Sequence, residues 1–596
     1  MAIVALDKVT LYGPAAEKDA VIEGLQRLGC LHLVDLRPGA SQSGEVATSD
    51  VGARAALQYL EDSPVRRRPE RRAGLDLPAV AKEALEIRDR SRALDEERGQ
   101  LRRWIAELEP WGDFEVPAWG REGALRLWFY AVPLHQLDRL KDVVAPWRVA
   151  ARDHRFAYVV VVAAEPPGEM PVAPVSLPPQ RLSSLRARID EVERELGDLD
   201  YRRIGLTLHR EALADSLDEA DDRAARDRAG RVALERDRLF ALRGWAPATL
   251  VPALRKFASD RRLAVTVEPP GPEDDPPTLL DNPPALRGGE GMVTFYRTPA
   301  YRMWDPSRTV FVAFAAFFGM IFSDAGYGLV LGLLTLAGWR RLGRSPGGAT
   351  LRGVLVALVA SSIVYGVLVG SFFGVTPPKG SWLARAHVLD AGDQRQMMLI
   401  SLGVGVVHLT SANLVAAWER RRTSRALSSL GWALALVAAF VTALAKTTSG
   451  LARWASLGFG GLALGGLLVL LFSSDRPLSL APRAILGRLL DGLHGLTESS
   501  KAFGDVLSYL RLFALGLASI KLAEAFNHLA ASSFALRGVG ILLGLVVLLV
   551  GHVINFAMGI MGGVVHGLRL NVIEFFNWSL PEEGALFHAF SRKARA

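Results

Sequence analysis

Two arginines sit where an arginine is hard to explain. Arg511 lies in the run DVLSYLRLFALGLASIKLAEAFNHL and Arg569 in GHVINFAMGIMGGVVHGLRLNVIEFF, each inside a stretch otherwise apolar enough to lie in a lipid bilayer. A guanidinium in hydrocarbon costs several kcal/mol and cannot shed its proton, so it requires an anionic partner or a water-filled cavity. The bland alternative is a snorkelling anchor, since both arginines lie toward one end of their helices. Other polar groups share these segments. His566 is one turn before Arg569 and Glu574 follows just beyond it. Each has an ordinary reading as well, a satisfied interhelical histidine and an interfacial acid. Glu524 lies about 20 Å along the helix from Arg511, and His552 and Asn555 on the next segment sit at similar depth. Lys521 and Glu524 are three residues apart and could simply neutralise one another. A permanent positive charge favours the ionised form of any carboxylate brought close to it.

The elements that position these residues follow from the segregation of charge. The chain has 596 residues, half of them hydrophobic and 22% charged, with a net charge of +8. Up to about residue 300 it is rich in Arg, Glu and Asp; from Thr309 on, apolar runs alternate with short basic loops. The expected fold is therefore two-part: an elongated α+β cytoplasmic domain over residues 1–300 carrying a coiled-coil arm, then an all-α membrane bundle of eight helices over 301–596. The basic balance reads as topogenic loop charge, without nucleic acid. Cys30 is the single cysteine, so no intrachain disulfide or cysteine-based metal site is expected.

Apolar segments of spanning length occur near 353–373, 396–417, 427–446, 456–473, 506–530 and 538–570. The segment 309–340 would make a helix about 48 Å long against a hydrocarbon core of about 30 Å, with Asp324 near its centre. Breaking it into 309–322 and 325–340, with Asp324 capping the second helix, gives eight crossings. That count puts Arg340-Arg341, Glu419 to Arg422, the Arg476 to Arg488 stretch, Arg592-Lys593-Arg595 and both termini in the cytoplasm, and the chain in the cell (inner) membrane. Segment 538–570 is too long for a simple crossing; steep tilt is expected, with a kink possible at Gly562-Gly563.

In the soluble half, strand–helix–strand units are expected at residues 1–36, at Leu125 to Ala164 and from Leu239 to Val267, forming two small α/β lobes of ferredoxin-like type. Between them Leu182, Leu185, Ile189, Val192, Leu196 and Leu199 mark a coiled-coil seam, with Leu94, Leu101, Ile105 and Leu108 as its partner. A plain helical hairpin fits the same spacing. A Pro-rich stretch from Glu268, within 268–290, reads as the linker to the membrane.

At SYLRLFALGLA around Arg511 and HGLRLNVIEF around Arg569 the chain resembles the a-type subunit, or subunit I, of V-type and archaeal-type rotary ATPases. FGMIFSDAGYG at 318–328, GSFFG at 370–374 and GWAP at 244–247 match as well. The resemblance implies a stator subunit that carries protons between two half-channels and a rotor ring of proteolipid subunits, joined to peripheral- and central-stalk subunits. It implies that Arg511 is the essential arginine, with Arg569 close to it. It implies no cofactor. Two positions depart from relatives: Gly559 stands where eukaryotic members carry glutamate, and Ser519 where some carry histidine. No GxxxxGK[ST] occurs, and no lysine follows a glycine, so nucleotide hydrolysis belongs to another subunit. No HExxH or His/Cys cluster suggests a metal. The competing class is a secondary ion transporter with a regulatory cytoplasmic domain; the chain lacks the internal repeat that class often shows.

Overall fold

The computed structural model describes residues 3–36, 48–68, 75–114, 125–378, 380–474, 476, 481–536 and 539–593. It divides into two compact units, one of Met1–Pro38 with Val232–Ser591, the other of Gly39–Arg231 with Arg592–Arg595.

In the first unit, β1 (Leu6–Pro14), α1 (Lys18–Leu28) and β2 (His32–Val34) join β6 (Leu234–Arg236), β7 (Leu239–Pro247), α6 (Val251–Asp260) and β8 (Ala264–Glu268). The antiparallel sheet has the order β2-β7-β1-β8, with β6 pairing β7. Leaving β6 aside, this is the βαββαβ order of a ferredoxin-like lobe, split by the long insertion between its second and third main strands. The terminal units expected separately from sequence are thus two halves of one sheet. Val9 and Leu11 of β1, two apart and so on one strand face, are buried, as are Val21, Ile22 and Leu25, a stripe along α1. Gly244 allows close approach, because a Cβ there would lie 2.5 Å from the His32 carbonyl. The Pro-rich stretch is itself woven in: Ile3 bridges Leu280, and Thr278 bridges Leu586.

The second unit holds α2 (Thr48–Glu61), α3 (Leu77–Leu108), α4 (Leu182–Leu206), α5 (Arg210–Val232) and a three-stranded sheet, β3 (Arg126–Pro133), β4 (Trp147–Arg152) and β5 (Phe156–Ala163), ordered β3-β5-β4. Here the sequence expectation needs correction. The helix expected inside this unit is a 3₁₀ helix, Leu134–Asp142, and β4 is an additional strand. Leu134, Leu137 and Leu140 recur every three residues, which aligns them along a three-per-turn helix. Along α3, Ile87, Leu94, Leu101 and Leu108 are buried at seven-residue steps and pack with Leu185, Val192 and Leu199 of α4, also seven apart. Ion pairs Glu83–Arg202, Arg90–Glu195, Glu97–Arg188 and Glu109–Arg186 fix the two helices antiparallel. Most of these charges are well exposed, so they set register more than stability.

The rest of the first unit is helical: α7 (Arg287–Tyr296), α8 (Ser307–Phe322), α9 (Ala325–Leu342), α10 (Pro346–Val369), α11 (Trp382–Ala386), α12 (Gln394–Glu419), α13 (Arg425–Thr447), α14 (Trp454–Phe472), α15 (Pro482–Thr497), α16 (Ser499–Ser508), α17 (Leu510–Phe534), α18 (Gly540–Arg569) and α19 (Phe576–Ser579). Among the described residues, six helical stretches are long and apolar enough to cross a membrane: Pro346–Val369, Gln394–Glu419, Arg425–Thr447, Trp454–Phe472, Ile485–Phe534 and Gly540–Ser579. Ser307–Phe322 is a shorter apolar helix. The chain is mostly helical and is a multi-pass membrane protein.

The α8/α9 break falls at Ser323 and Asp324. Ser323 takes a left-handed φ of 48° as the C-cap of α8, and Asp324 caps α9 by accepting from Tyr327 N. The buried Asp324 carboxylate also accepts from Ser371 Oγ at 2.6 Å, Phe373 N at 2.9 Å and Gly374 N at 3.0 Å. Phe373 and Gly374 both have positive φ, which turns their successive N–H groups toward one acceptor. The two motifs at 318–328 and 370–374 are therefore one structural unit. Gly374 also touches α17, where a Cβ would lie 2.6 Å from that of Ala523.

Helix α18 packs on α8 through a ladder. Gly559, Gly563 and Gly567 each face a ring, Phe322, Phe318 and Phe314 respectively, one turn apart on antiparallel helices. It runs unbroken through Gly562-Gly563 as an α-helix about 45 Å long. The departure from α geometry comes at its end, where Leu570–Phe575 forms a π turn.

Candidate functional site

Arg511 is in the first turn of α17, immediately after the junction with α16 at Tyr509. Tyr509 is fully buried and its hydroxyl lies 2.7 Å from His408 Nδ1 on α12. The His408 ring stacks on Phe575 with centroids 4.4 Å apart. Gly405 makes room for the tyrosine, since a Cβ there would meet its ring at 2.6 Å. This anchor fixes the start of the arginine-bearing helix.

The π turn places the acid. In an α-helix a residue and its fifth successor point roughly 140° apart. A π turn closes its hydrogen bonds over five residues, which brings the fifth successor back under the first. Arg569 and Glu574 are so related. Arg569 Nε lies 3.8 Å and Arg511 Nη2 3.4 Å from the same oxygen, Glu574 Oε1. The Glu574 side chain is only 3% exposed, against 24% for Arg511 and 52% for Arg569. Arg511 Nη1, Glu574 Oε2 and His566 Nδ1 are buried with no hydrogen-bond partner among the described residues. Asp505, one and a half turns before Arg511, accepts from Trp578 Nε1 at 2.8 Å, closing the same corner.

The remaining residues expected from sequence lie elsewhere. Glu524 pairs with Lys521 at 2.8 Å, the local neutralisation that its spacing allowed. His552 and Asn555 belong to a second polar cluster, in which both bond to Tyr327 of α9. Asn555 also bonds to Ser519 of α17, and His552 to Asn527 of the same helix. Sequence reasoning missed Tyr327, Asn527, Tyr509 and His408. Tyr327 and Tyr509 stand inside the motifs FGMIFSDAGYG and SYLRLF, but tyrosine in an apolar helix carries no signal of its partner.

Gly559 has a structural explanation. Phe322 fills the space beside it, and any Cβ there would lie 2.9 Å from that ring. A glutamate at this position has no room while Phe322 stands opposite.

No family model matches the chain. It is 28% identical over 617 residues to V-type ATP synthase subunit I 1 of Treponema pallidum (strain Nichols), covering 96% of this chain and 97% of that one. It is 26% identical over 606 residues to V-type ATP synthase subunit I of Chlamydia pneumoniae, covering 89% and 86%. It is 27% identical over 393 residues to A-type ATP synthase subunit I of Methanocaldococcus jannaschii, covering 59% and 55%. A crystal structure of the cytoplasmic N-terminal domain of subunit I, homolog of subunit a, of V-ATPase matches at 18% identity over 44% of this chain and 99% of that one, with a TM-score of 0.24 that supports no fold assignment. The first two matches run nearly end to end, so over most of its length, the arginine-centred motifs included, this chain is similar to subunit I of V-type and A-type ATP synthases.

Proposed function

We propose that this chain is the stator subunit of a rotary V/A-type ATPase or ATP synthase, which carries protons between two half-channels and a rotor ring of proteolipid subunits. The observation that carries the reading is the convergence of Arg511 and Arg569 on Glu574 Oε1. Two permanent cations share one buried carboxylate, so part of their charge is left for a second acid arriving from outside the chain. The unpartnered atoms Arg511 Nη1, Glu574 Oε2 and His566 Nδ1 support the same conclusion, because buried polar groups are almost always satisfied. Arg511 is the essential cation and Arg569 supports it. His566 and Glu574 serve the half-channel on their side; Glu524, His552 and Asn555 serve the other.

In this reading α8 and α9 are two further crossings, giving eight in all, with both termini in the cytoplasm and the protein in the cell membrane. The α3/α4 pair is a coiled-coil arm that meets peripheral- and central-stalk subunits, within a cytoplasmic part over residues 1–300. Replacing Arg511 by Ala or Lys in the intact complex tests the function. ATP-driven proton transport should be abolished while the complex still assembles. Normal pumping by an assembled Arg511→Ala complex would sink the mechanism.

A further inference from the structure

The second polar cluster has a hydrogen-bond direction that the backbone determines. At one end Asn555 approaches the carbonyl oxygen of Ser519 at 2.8 Å, which can only accept, so this corner of the amide is Nδ2. Its other proton points to the Tyr327 hydroxyl at 3.1 Å. At the opposite end Asn527 donates from Nδ2 to the Phe373 carbonyl at 2.8 Å. Its Oδ1 therefore faces His552 Nε2 at 3.0 Å, and Nε2 must carry the hydrogen. In a neutral imidazole that leaves Nδ1 as the acceptor, and Tyr327 O–H donates to it at 2.6 Å. Two carbonyls, one at each end, admit a single neutral solution for everything between them.

Among the described residues, the acids on the helices packed against His552 are already engaged. Asp324 on α9 spends its carboxylate on Ser371 and three backbone N–H groups. Glu524 on α17 is paired with Lys521. Phe373, from the 371–374 loop, packs edge-on to the His552 ring. Gly559 supplies no carboxylate, and Phe322 occupies its surroundings.

We infer that Tyr327 is a positioning residue of the ion pathway: it caps Nδ1 of His552, which Asn527 holds as the Nε2–H tautomer, and that Nδ1 is the nitrogen that takes up and releases the transported proton in place of a carboxylate. The inference rests on the proton-pathway function proposed above. When a proton from water binds Nδ1, the Tyr327 hydroxyl gives up its bond to that nitrogen and rotates away. When the proton leaves toward the rotor, the bond re-forms. The loop that pins Asp324 also supplies the Phe373 carbonyl, so the motifs at 318–328 and 370–374 serve this one histidine from both ends.

The test uses the whole complex reconstituted in liposomes. Solid-state ¹⁵N spectra of histidine-labelled complex, assigned by loss of a signal in His552→Gln, should show His552 with Nε2 protonated and Nδ1 bare. In Tyr327→Phe the tautomer should stay Nε2–H, set by Asn527, while the Nδ1 signal moves to that of a ring nitrogen with no donor. Pumping by Tyr327→Phe should fall about fivefold, the loss of one ordinary hydrogen bond, and its dependence on pH on the His552 side should shift. His552→Gln should lose that pH dependence. An Nδ1–H tautomer in the wild-type complex, or a Tyr327→Phe complex with unchanged rate and pH profile, would overturn the inference. If Arg511→Ala still pumped, the pathway itself would be wrong; the tautomer measurement stands apart from that result.

Discussion

Arg511 and Arg569, 58 positions apart on successive helices, reach the same oxygen atom of Glu574, at 3.4 and 3.8 Å. The carboxylate is buried and the two guanidinium groups are more exposed, so Glu574 holds the cations from behind.

Glu574→Gln keeps the shape and removes the charge. Without the shared anion the two guanidinium groups repel, and under the proposed function each would bind a rotor carboxylate more tightly than turnover allows. Proton transport should drop about tenfold, equivalent to ~1.4 kcal/mol on the limiting step, with assembly retained. Vesicle acidification by the purified complex measures it, and an unchanged rate would remove Glu574 from the mechanism.

The glycine ladder predicts a rescue. Gly559→Glu should destabilise the membrane bundle by ~1–3 kcal/mol, because its Cβ meets the Phe322 ring. Phe322→Ala opens that space, so the double variant should recover part of the loss. Thermal inactivation of the detergent-solubilised complex reads both. A single variant as stable as wild type contradicts the packing.

These cases show which parts of the site were legible in the sequence. Arg511 and Arg569 stood out because charge in an apolar run is costly, and Asp324 was readable as a cap because a continuous helix would have been too long. Glu574 could be nominated but not placed, since α periodicity sets it well away from Arg569 and nothing in LNVIEF announces a π turn. Tyr327 escaped because its partners come from two other helices. Likewise the terminal lobe read as separate units: strand periodicity marks each strand but not which distant strand it joins.

The arm is tested by charge in its seam. Leu101→Asp or Val192→Asp puts a carboxylate among the buried residues of α3 and α4. Either should open the pair and release the nucleotide-binding subunits while the membrane part still inserts. Copurification decides it, and a fully coupled complex carrying Leu101→Asp would refute the assignment of the arm.

A pH effect is expected at β2. Burial lowers the pKa of His32 from its ordinary 6.5, and neighbouring His588 adds to this. His32 Nδ1 accepts from His588 N at 2.9 Å, a bond that needs the neutral ring. Above pH 6.5 folded and unfolded chains both hold the ring neutral, so its contribution is complete. As pH falls below 6.5 the unfolded state gains a proton first, and stability declines. Limited proteolysis should therefore release the C-terminal tail faster at pH 5.5 than at 7.5, about as pH-dependent as its histidine content allows. His32→Phe should flatten this difference, and an undiminished pH effect in that variant would assign it to another group.

The same tail changes how the last membrane helix is held. Beyond α19 the chain does not simply end: Gly584 N donates to Thr298 O, Phe587 N to Thr278 O and Phe590 N to Leu31 O, so it is stitched along residues near the ferredoxin-like sheet. A sideways push on Arg569 is therefore resisted like a tug on a moored rope, along a continuous backbone that is made fast on the lobe. In the rotary complex proposed above, such a mooring would let the fixed part stay put without a heavier bundle around the arginines.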